Sequence, residues 1–520
     1  MSNLDNAKIL FLEGLDHFNR QEFHAARNFF LQSLEILPDR LSVLINLSAT
    51  YLKLREYQNA EEVCWKIIAL ADQTMEAWLN LGLVSIGKCN YSESLVFFEK
   101  ALNISAENEN ALTNKGVALM ELGQLSDAIT LHDKAISANQ EFSEAWLNRG
   151  LALHRAGNYA EALLSYDRAI LINPRSYEAW TNRGATLNDG MGRYQDALDS
   201  YAHALMLKPD YFDALWNEAH TRLIGGDFVL GLQYYEYRWK KIDPLKYRHS
   251  HIPVGLGIES IKNKKVLIWA EQGYGDTLQF CRYIELLIVA GAIVKFEVPG
   301  PLVSLIQSIE GCTVFSEGEN LGEVDFQIPL LSLPLYFQTK LESIPNRVPY
   351  LRANQEKVCE WLEKLDLDQS KLNIGIACSG NLLFDKKHGN TRPIPLSEFG
   401  CLVDKARLFL IQKELRPHDR AYLNEHPEIK YLGDQIRNFS DTAAIVENLD
   451  MVICIDTSLA HLAGALDKKA YVLLPAVADW RWFTERADSP WYPSARLFRQ
   501  HKKGDWRSVM RAVELSLAEQ

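Results

Sequence analysis

Residues 143–174 read SEAWLNRGLALHRAGNYAEALLSYDRAILINP, and the stretch opening YEAWTNRGATL at residue 177 repeats that pattern one period later. Aligning the chain with itself gives a period of 34: Asn46, Asn80, Asn114, Asn148 and Asn182 stand 34 residues apart. Gly82, Gly116, Gly150 and Gly184 follow the last four asparagines by two positions, and Trp78, Trp146 and Trp180 precede theirs by two. Tyr57, Tyr91 and Tyr159 come eleven residues after an asparagine, Ala60, Ala128 and Ala162 hold a place three further on, and Pro38 and Pro174 share a phase. One extra residue within 188–193 moves the last unit to a spacing of 35, so that Asn217 continues the series. Such a period predicts about seven antiparallel helix pairs beginning near residues 7, 41, 75, 109, 143, 177 and 212, with the insertion in the turn between two helices. Small residues such as Gly82 and Ala101 allow close helix approach, and the aromatics fill the gaps between units. A single pair cannot bury its apolar face, so stacking is required, and the concave inner surface is lined by the first helix of each unit.

These aromatic, Leu-Gly, Tyr, Ala and Pro positions resemble the tetratricopeptide repeat. The asparagines add a functional expectation, because an amide side chain both donates and accepts and can hold an extended polypeptide whatever its sequence. The array resembles that of O-GlcNAc transferase. The resemblance implies that Asn80, Asn114, Asn148, Asn182 and Asn217 bind an acceptor peptide. The alternative is that asparagine here bonds within or between units. Asn46 lies at the distal end and Leu12 stands in the first unit, so the ladder fades away from the second half of the chain.

The bulk numbers set limits. At 520 residues, two to four domains are expected, and a composition 47% hydrophobic and 23% charged is that of an ordinary globular chain. The net charge of −12, with both signs interspersed, repels a phosphate backbone, so nucleic acid is not an expected partner. Eight scattered cysteines with no CxxC pair read as reduced thiols, which points to the cytoplasm. The opening MSNLDNAKILFLEGLDHFNRQEF lacks a basic start followed by an apolar stretch, and no segment is apolar enough to span a bilayer; neither export nor membrane insertion is expected.

From Lys262 the period stops. Short apolar runs at 266–269, 293–298, 326–328, 373–377, 408–412, 451–455 and 470–474 alternate with amphipathic stretches, the pattern of parallel strands with helices on both faces. The charged, helical stretch 354–370 joins two such halves. The expected division is repeats over 1–240, a linker over 241–262, and α/β halves over 263–353 and 354–520.

Two loops fall where open α/β sheets bind ligands, beyond the carboxyl ends of strands. The first is EQGYGDT at 271–277, ahead of a helix reading LQFCRYIELLIVAG. Gly273 and Gly275 permit a tight turn, and Asp276 at the helix start is either a cap or a carboxylate facing the crevice. The second is DTSLAHLAGA at 456–465, where Thr457, Ser458 and free backbone amides at a helix N-terminus form an anion site within reach of His461. Capping by the hydroxyls and a satisfied, semi-buried histidine are the alternatives. GYGD lacks the third glycine of a dinucleotide fingerprint, so a dehydrogenase is disfavoured. Asp366-Leu367-Asp368 matches a metal-binding DxD superficially but lies on a charged connection and reads as surface.

WAEQGYGDTLQFCRY, SGN at 379–381, RPIPL at 392–396, FSDTAAIVENLDMVICIDTSLAHLAGAL, DWRW and SPWYP together resemble the heptosyltransferase-type glycosyltransferase domain. That domain is also found joined to tetratricopeptide repeats. The resemblance implies a GT-B fold of two Rossmann-like halves and a metal-independent, inverting transfer. No cofactor is implied beyond an ADP- or UDP-sugar donor held by the second half. Asp276 is then the general base, and Gly273 and Gly275, whose turn lets the backbone approach closely, count among the donor-binding residues. Asp456, Thr457, Ser458 and His461 bind the donor, and Arg392 offsets charge on the leaving group. Gln412 and Lys413 end another strand and touch the nucleotide, although a solvated lysine is the alternative for Lys413. Tyr274 stands where the family has Leu and Cys378 where it has Trp, and 382–391 departs from the family's His and Asn-Asp arrangement. Three functions therefore stay open: a transferase acting on protein or peptide, one extending glycans, and a repeat scaffold with a degenerate transferase domain.

Overall fold

The computed structural model describes residues 3–241, 247–255, 257–382 and 392–519. The chain divides into two compact units, Met1–Ala214 and Leu215–Gln520. Among the described residues, the first unit holds six helix pairs: Asn3–Asn19 with Phe23–Ile36, Leu41–Lys53 with Tyr57–Leu70, Met75–Gly87 with Tyr91–Ile104, Glu109–Glu121 with Leu125–Ala138, Ser143–Arg155 with Tyr159–Ile172, and Tyr177–Met191 with Tyr194–Leu207. From the second pair on, their starts fall at the expected residues, whereas the first helix already includes Asn3, ahead of the expected start near residue 7.

The periodic glycines explain the pairing. A Cβ built on Gly82, Gly150 or Gly184 would lie 2.3, 2.6 or 2.5 Å from the ring of Phe98, Tyr166 or Tyr201 on the second helix of the same unit. Any side chain there forces the helices apart. The inserted residue is absorbed differently from the expectation. It lengthens the helix Tyr177–Met191 to 15 residues, against 13 for Ser143–Arg155, and that helix ends at Gly192 with φ 62°. The turn is not lengthened: only Gly192 and Arg193 separate this helix from Tyr194–Leu207, and Gly190 packs against Tyr159, 2.2 Å from its Cγ to a built Cβ.

In the fourth unit the aromatic place under Gly116 is taken by His132, which is fully buried with neither ring nitrogen hydrogen-bonded. Burial pushes the His132 pKa down from 6.5 to about 4. The folded state thus refuses a proton that the unfolded chain accepts, so stability is full above the unfolded pKa and declines between about 6.5 and about 4. That decline amounts to roughly 3 kcal/mol. His132→Phe, which restores the residue type of Phe98, is expected to abolish this acid-sensitive part; urea midpoints at pH 7 and pH 4 on both proteins check it.

The second unit opens with most of the helix Phe212–Ile224, then Phe228–Tyr235 and a short helix Arg238–Lys241. Two parallel sheets follow. The first, ordered β3-β2-β1-β4, comprises β1 (Lys265–Trp269), β2 (Ile293–Val298), β3 (Cys312–Ser316) and β4 (Phe326–Pro329). The second, ordered β10-β9-β8-β5-β6-β7, comprises β5 (Leu372–Ala377), β6 (Ala406–Leu410), β7 (Lys430–Tyr431), β8 (Met451–Ile455), β9 (Ala470–Leu474) and β10 (Ala495–Arg499). Ile268 of β1 pairs with Phe296 and Ile328, and Ile374 of β5 with Met451 and Leu408. These central strands are apolar on both faces, as sheets covered by helices on each side require. Strand order reverses at β1 and again between β5 and β8, and ligands of open α/β sheets lie at such reversals.

Several local expectations shift. The run at 408–412 yields a strand that ends at Leu410, leaving Gln412 in the loop beyond. The expected single helix after the first loop is two, Tyr274–Phe280 and Tyr283–Val289. The first of these begins at Tyr274, so Asp276 lies inside its first turn. Within the stretch expected as a linker, residues 242–246 and 256 lie outside the described residues, and 253–255 extend the edge of the first sheet. Gln327 N–H donates to the Pro253 carbonyl at 2.9 Å, and Gly255 N–H to that of Gln327 at 3.3 Å. In 354–370 only Gln355–Lys364 is helical.

Candidate functional site

The loops after β1 and β8 meet. A Cβ on Gly275 would lie 2.8 Å from Cδ2 of His461 and 3.6 Å from Cα of Ser458, so the helices Tyr274–Phe280 and Ser458–Ala465 approach at a point only glycine tolerates. The Asp276 Oδ2 accepts the Gly273 N–H at 3.0 Å, so its carboxylate caps the start of its own helix. Its Oδ1 accepts Nη2 of Arg481 at 2.5 Å. Both readings of Asp276 thus hold at once, since the carboxylate caps its helix and also faces the second half, with 20% of its side chain exposed.

Thr457 occupies the cap position of Ser458–Ala465 in extended backbone, φ −144°, yet its hydroxyl makes no capping bond. The first amides of that helix are therefore not capped by the Thr457 side chain, and Ser458 beside them is half-buried. His461 is buried beneath it. Its Nδ1 hydrogen-bonds the Tyr492 hydroxyl at 2.9 Å, its Nε2 points to Asp456 Oδ1 at 3.8 Å, and its ring stacks on Trp482 with centroids 5.3 Å apart. Burial and then Arg481 push its pKa down to about 3, so the imidazole is neutral. Burial and the neighbouring Asp479 push the Asp456 carboxyl up to about 6, against the pull of Arg392. Burial also raises Asp276, opposed by Arg481. For Asp479 burial is outweighed by Arg481, and the net direction is down. Arg392 Nη1 donates to the Asp456 carbonyl at 3.4 Å, which brings it to the same loop.

Gln412 and Lys413 are not brought to that point. The Gln412 amide is spent on the chain itself: its Oε1 accepts from Cys378 N–H and Ser379 N–H at 2.7 and 3.2 Å, and its Nε2 donates to Ser379 Oγ and the Glu414 carbonyl at 2.7 and 2.8 Å. It fixes the turn after β5. Lys413 is exposed. Asp366 pairs with Arg407, and Asp368 accepts the Ser370 N–H at 2.8 Å and its hydroxyl at 2.6 Å, so both have local structural partners. Residues 383–391, which carry most of the family departure, lie outside the described residues.

Sequence reasoning passed over Arg481, Asp479, Trp482 and Tyr492, although DWRW and SPWYP were visible as motifs. It also missed the anchoring of the first loop. Glu271 accepts Nε and Nη2 of Arg238, each at 3.0 Å, and the Leu331 N–H at 2.9 Å. Arg238 further donates to Glu236 at 2.5 Å and Ser332 at 2.8 Å. An arginine outside any sheet thereby pins the residue from which the loop 271–277 departs.

In the first unit, Asn80 is buried and donates to Ser48 Oγ at 2.8 Å, a bond between neighbouring repeats. Asn114 and Asn148 are half-buried and donate to the carbonyls of Asn110 and Glu144 within their own helices, at 2.8 and 3.0 Å, the bonding within a unit that was the alternative to a peptide ladder. Asn182 is half-buried on Tyr177–Met191. Asn217 is half-buried on Phe212–Ile224 in the second unit.

Residues 113–179 match the family model for the tetratricopeptide repeat. The amino-terminal half is built of tetratricopeptide repeats. Protein FlbA of Caulobacter vibrioides is 22% identical over 282 residues, 50% of this chain and 47% of FlbA, so the chain spans about half the length of the curated relative it matches. Among solved structures, YrrB, described as a tetratricopeptide repeat protein with an unusual peptide-binding site, is 26% identical, covers 36% of this chain and 95% of its own, and superposes with a TM-score of 0.28. A tetratricopeptide repeat protein from Parabacteroides merdae is 15% identical, covers 48% of this chain and 96% of its own, with a TM-score of 0.38.

In two of the tetratricopeptide units the arginine after the asparagine, Arg149 after Asn148 and Arg183 after Asn182, ties neighbouring helices together. Arg149 donates to Asp133 at 2.6 Å and Ser165 at 2.8 Å, and Arg183 to Asp167 and Ser200, each at 2.7 Å. Asn148 and Asn182 are thus flanked by repeated, directional ion pairs. No helix among the described residues is long and apolar enough to cross a membrane.

Proposed function

We propose that the unit Leu215–Gln520 is a glycosyltransferase of GT-B type and that the tetratricopeptide repeats guide a protein or peptide acceptor to it in the cytoplasm. The observation that carries the reading is the approach of Gly275 to His461, which sets the Asp276 carboxylate beside the N-terminus of Ser458–Ala465. An inverting transfer needs those two features together. The acceptor hydroxyl gives its proton to Asp276 as its oxygen bonds the anomeric carbon. The bond from that carbon to the diphosphate oxygen breaks, and the nucleoside diphosphate departs with the electron pair. Helix amides, Thr457, Ser458 and Arg392 offset the charge that develops on it, and no metal is invoked. Asp456 contacts a sugar hydroxyl, and neutral His461 supports the loop from below rather than pairing with phosphate. ADP- and UDP-sugars are the expected donors.

Incubating the full chain with ADP-, UDP- and GDP-sugars and both peptide and saccharide acceptors tests this. A mass increase on peptide supports the reading. Sugar found only on saccharide contradicts the peptide acceptor and favours glycan extension. The ion pairing of Asp276 by Arg481 favours a second reading, a repeat scaffold whose site is latched shut, and neither transfer nor donor hydrolysis would support it. Replacing Asn148 and Asn182 together by Ala is expected to raise the acceptor Michaelis constant about tenfold, as loss of two hydrogen bonds does, with the donor constant unchanged. Steady-state kinetics in both substrates checks that split.

A further inference from the structure

Arg481 reaches the site from the segment after β9, 205 residues beyond Asp276 in the chain. Its Nη2 donates to Asp276 at 2.5 Å and its Nη1 to Asp479 at 2.7 Å. The guanidinium lies over Trp480 at 4.7 Å from the ring centroid and over Phe280 at 5.5 Å, and its side chain is 8% exposed. A planar fork held by two carboxylates along its edge and by rings on its faces is fixed in orientation. Asp276 is fixed in turn, with Oδ1 on Arg481 and Oδ2 on the Gly273 N–H, and each oxygen keeps a second lone-pair direction.

We propose that Arg481 is the positioning residue of the transfer, holding the Asp276 carboxylate ionised and aimed for proton acceptance; this rests on Asp276 being the proton acceptor. The groups acting on Asp276 are Arg481 and Asp479 from the segment after β9, the Gly273 N–H from its own loop, and Tyr235 from Phe228–Tyr235, with neutral His461 against the adjoining Gly275. Arg481 is the cation of this set. Without it Asp276 faces Asp479 uncompensated and must keep its proton to higher pH.

The test uses the full chain as wild type, Asp276→Asn, Arg481→Gln and Arg481→Lys. The infrared carboxyl band lost in Asp276→Asn identifies the group without any activity. Its titration midpoint is expected to rise by at least about one pH unit in Arg481→Gln. Turnover should fall about 100-fold, with its acidic limb displaced equally and donor binding retained, and Arg481→Lys should return the midpoint towards wild type. An unmoved midpoint overturns the positioning role whatever the activity. A displaced midpoint in a protein whose wild type transfers no sugar overturns Asp276 as proton acceptor, and the proposal with it. Should Arg481→Gln not fold, Arg481→Lys decides: a point charge cannot span both carboxylates, so turnover should drop about tenfold at unchanged donor Michaelis constant, and full turnover contradicts the role.

Discussion

Asp276→Ala is expected to reduce turnover by at least about 100-fold while nucleotide-sugar binding persists, because proton acceptance is worth that much and the proposed function gives the donor to the opposite loop. Asp276 also caps the helix Tyr274–Phe280 and neutralises Arg481, so Ala alone would confuse chemistry with folding. Asp276→Asn retains the helix cap, and Asp479 still pairs with Arg481 in either variant. The asparagine keeps an oxygen for the Gly273 N–H and the side-chain volume, yet it cannot take the proton. Both variants should lose turnover with circular dichroism unchanged for Asn. Turnover at the wild-type rate in Asp276→Asn removes Asp276 from the mechanism.

Arg238→Met is expected to destabilise the second unit by about 3–5 kcal/mol, the cost of leaving a buried charge without its partner. The side chains of Arg238 and Glu271 are each 1% exposed, so the abandoned carboxylate cannot find water. Adding Glu271→Gln should recover part of the loss, because the remaining amide carries no charge to desolvate. Hydrogen exchange read by mass spectrometry localises the effect: peptides from Leu215–Gln520 should lose protection and those from residues 41–207 should not. Uniform protection in Arg238→Met would show that the pair does not anchor the loop. Unlike the loss at Asp276, this one appears in stability first and in turnover only through displacement of the loop that Glu271 begins.

What was legible in the sequence follows from which forces are local. Gly82, Gly116, Gly150 and Gly184 recur at 34 because each faces one ring of its own unit, a contact set by a short stretch of chain. Helix starts could be read from that spacing. Central strands β1, β5, β8 and β9 were readable because burial on both faces demands unbroken apolar runs. The edge strands β3, β7 and β10 were not: β3 carries Thr313 and Ser316, β7 is two residues long, and Arg496 and Arg499 interrupt β10. The loops at 271–277 and 456–465 were found from glycine and hydroxyl chemistry next to strands. Their partners were not, because the meeting of Arg481 with Asp276 is decided by packing across more than two hundred residues. His461 illustrates the limit. Its helix could be placed from the sequence, but which face it presents depends on Trp482 and Tyr492, which arrive from later segments. Gln412 fails for a related reason, since a polar residue just beyond a strand serves a ligand or the chain's own turn, and here the Cys378 and Ser379 amides claim it.

The central claim is that the N-terminus of Ser458–Ala465 holds a sugar diphosphate opposite Asp276. Direct titration of the full chain with ADP-, UDP- and GDP-sugars, followed by calorimetry and thermal unfolding, tests it most directly. At least one donor should bind, and at one hundred times its dissociation constant it should add about 2.7 kcal/mol to the folded state, with the gain lost on replacing Thr457 and Ser458 by Val. If no sugar nucleotide binds at millimolar concentration, or if binding survives that double replacement undiminished, the site is not where the donor is held.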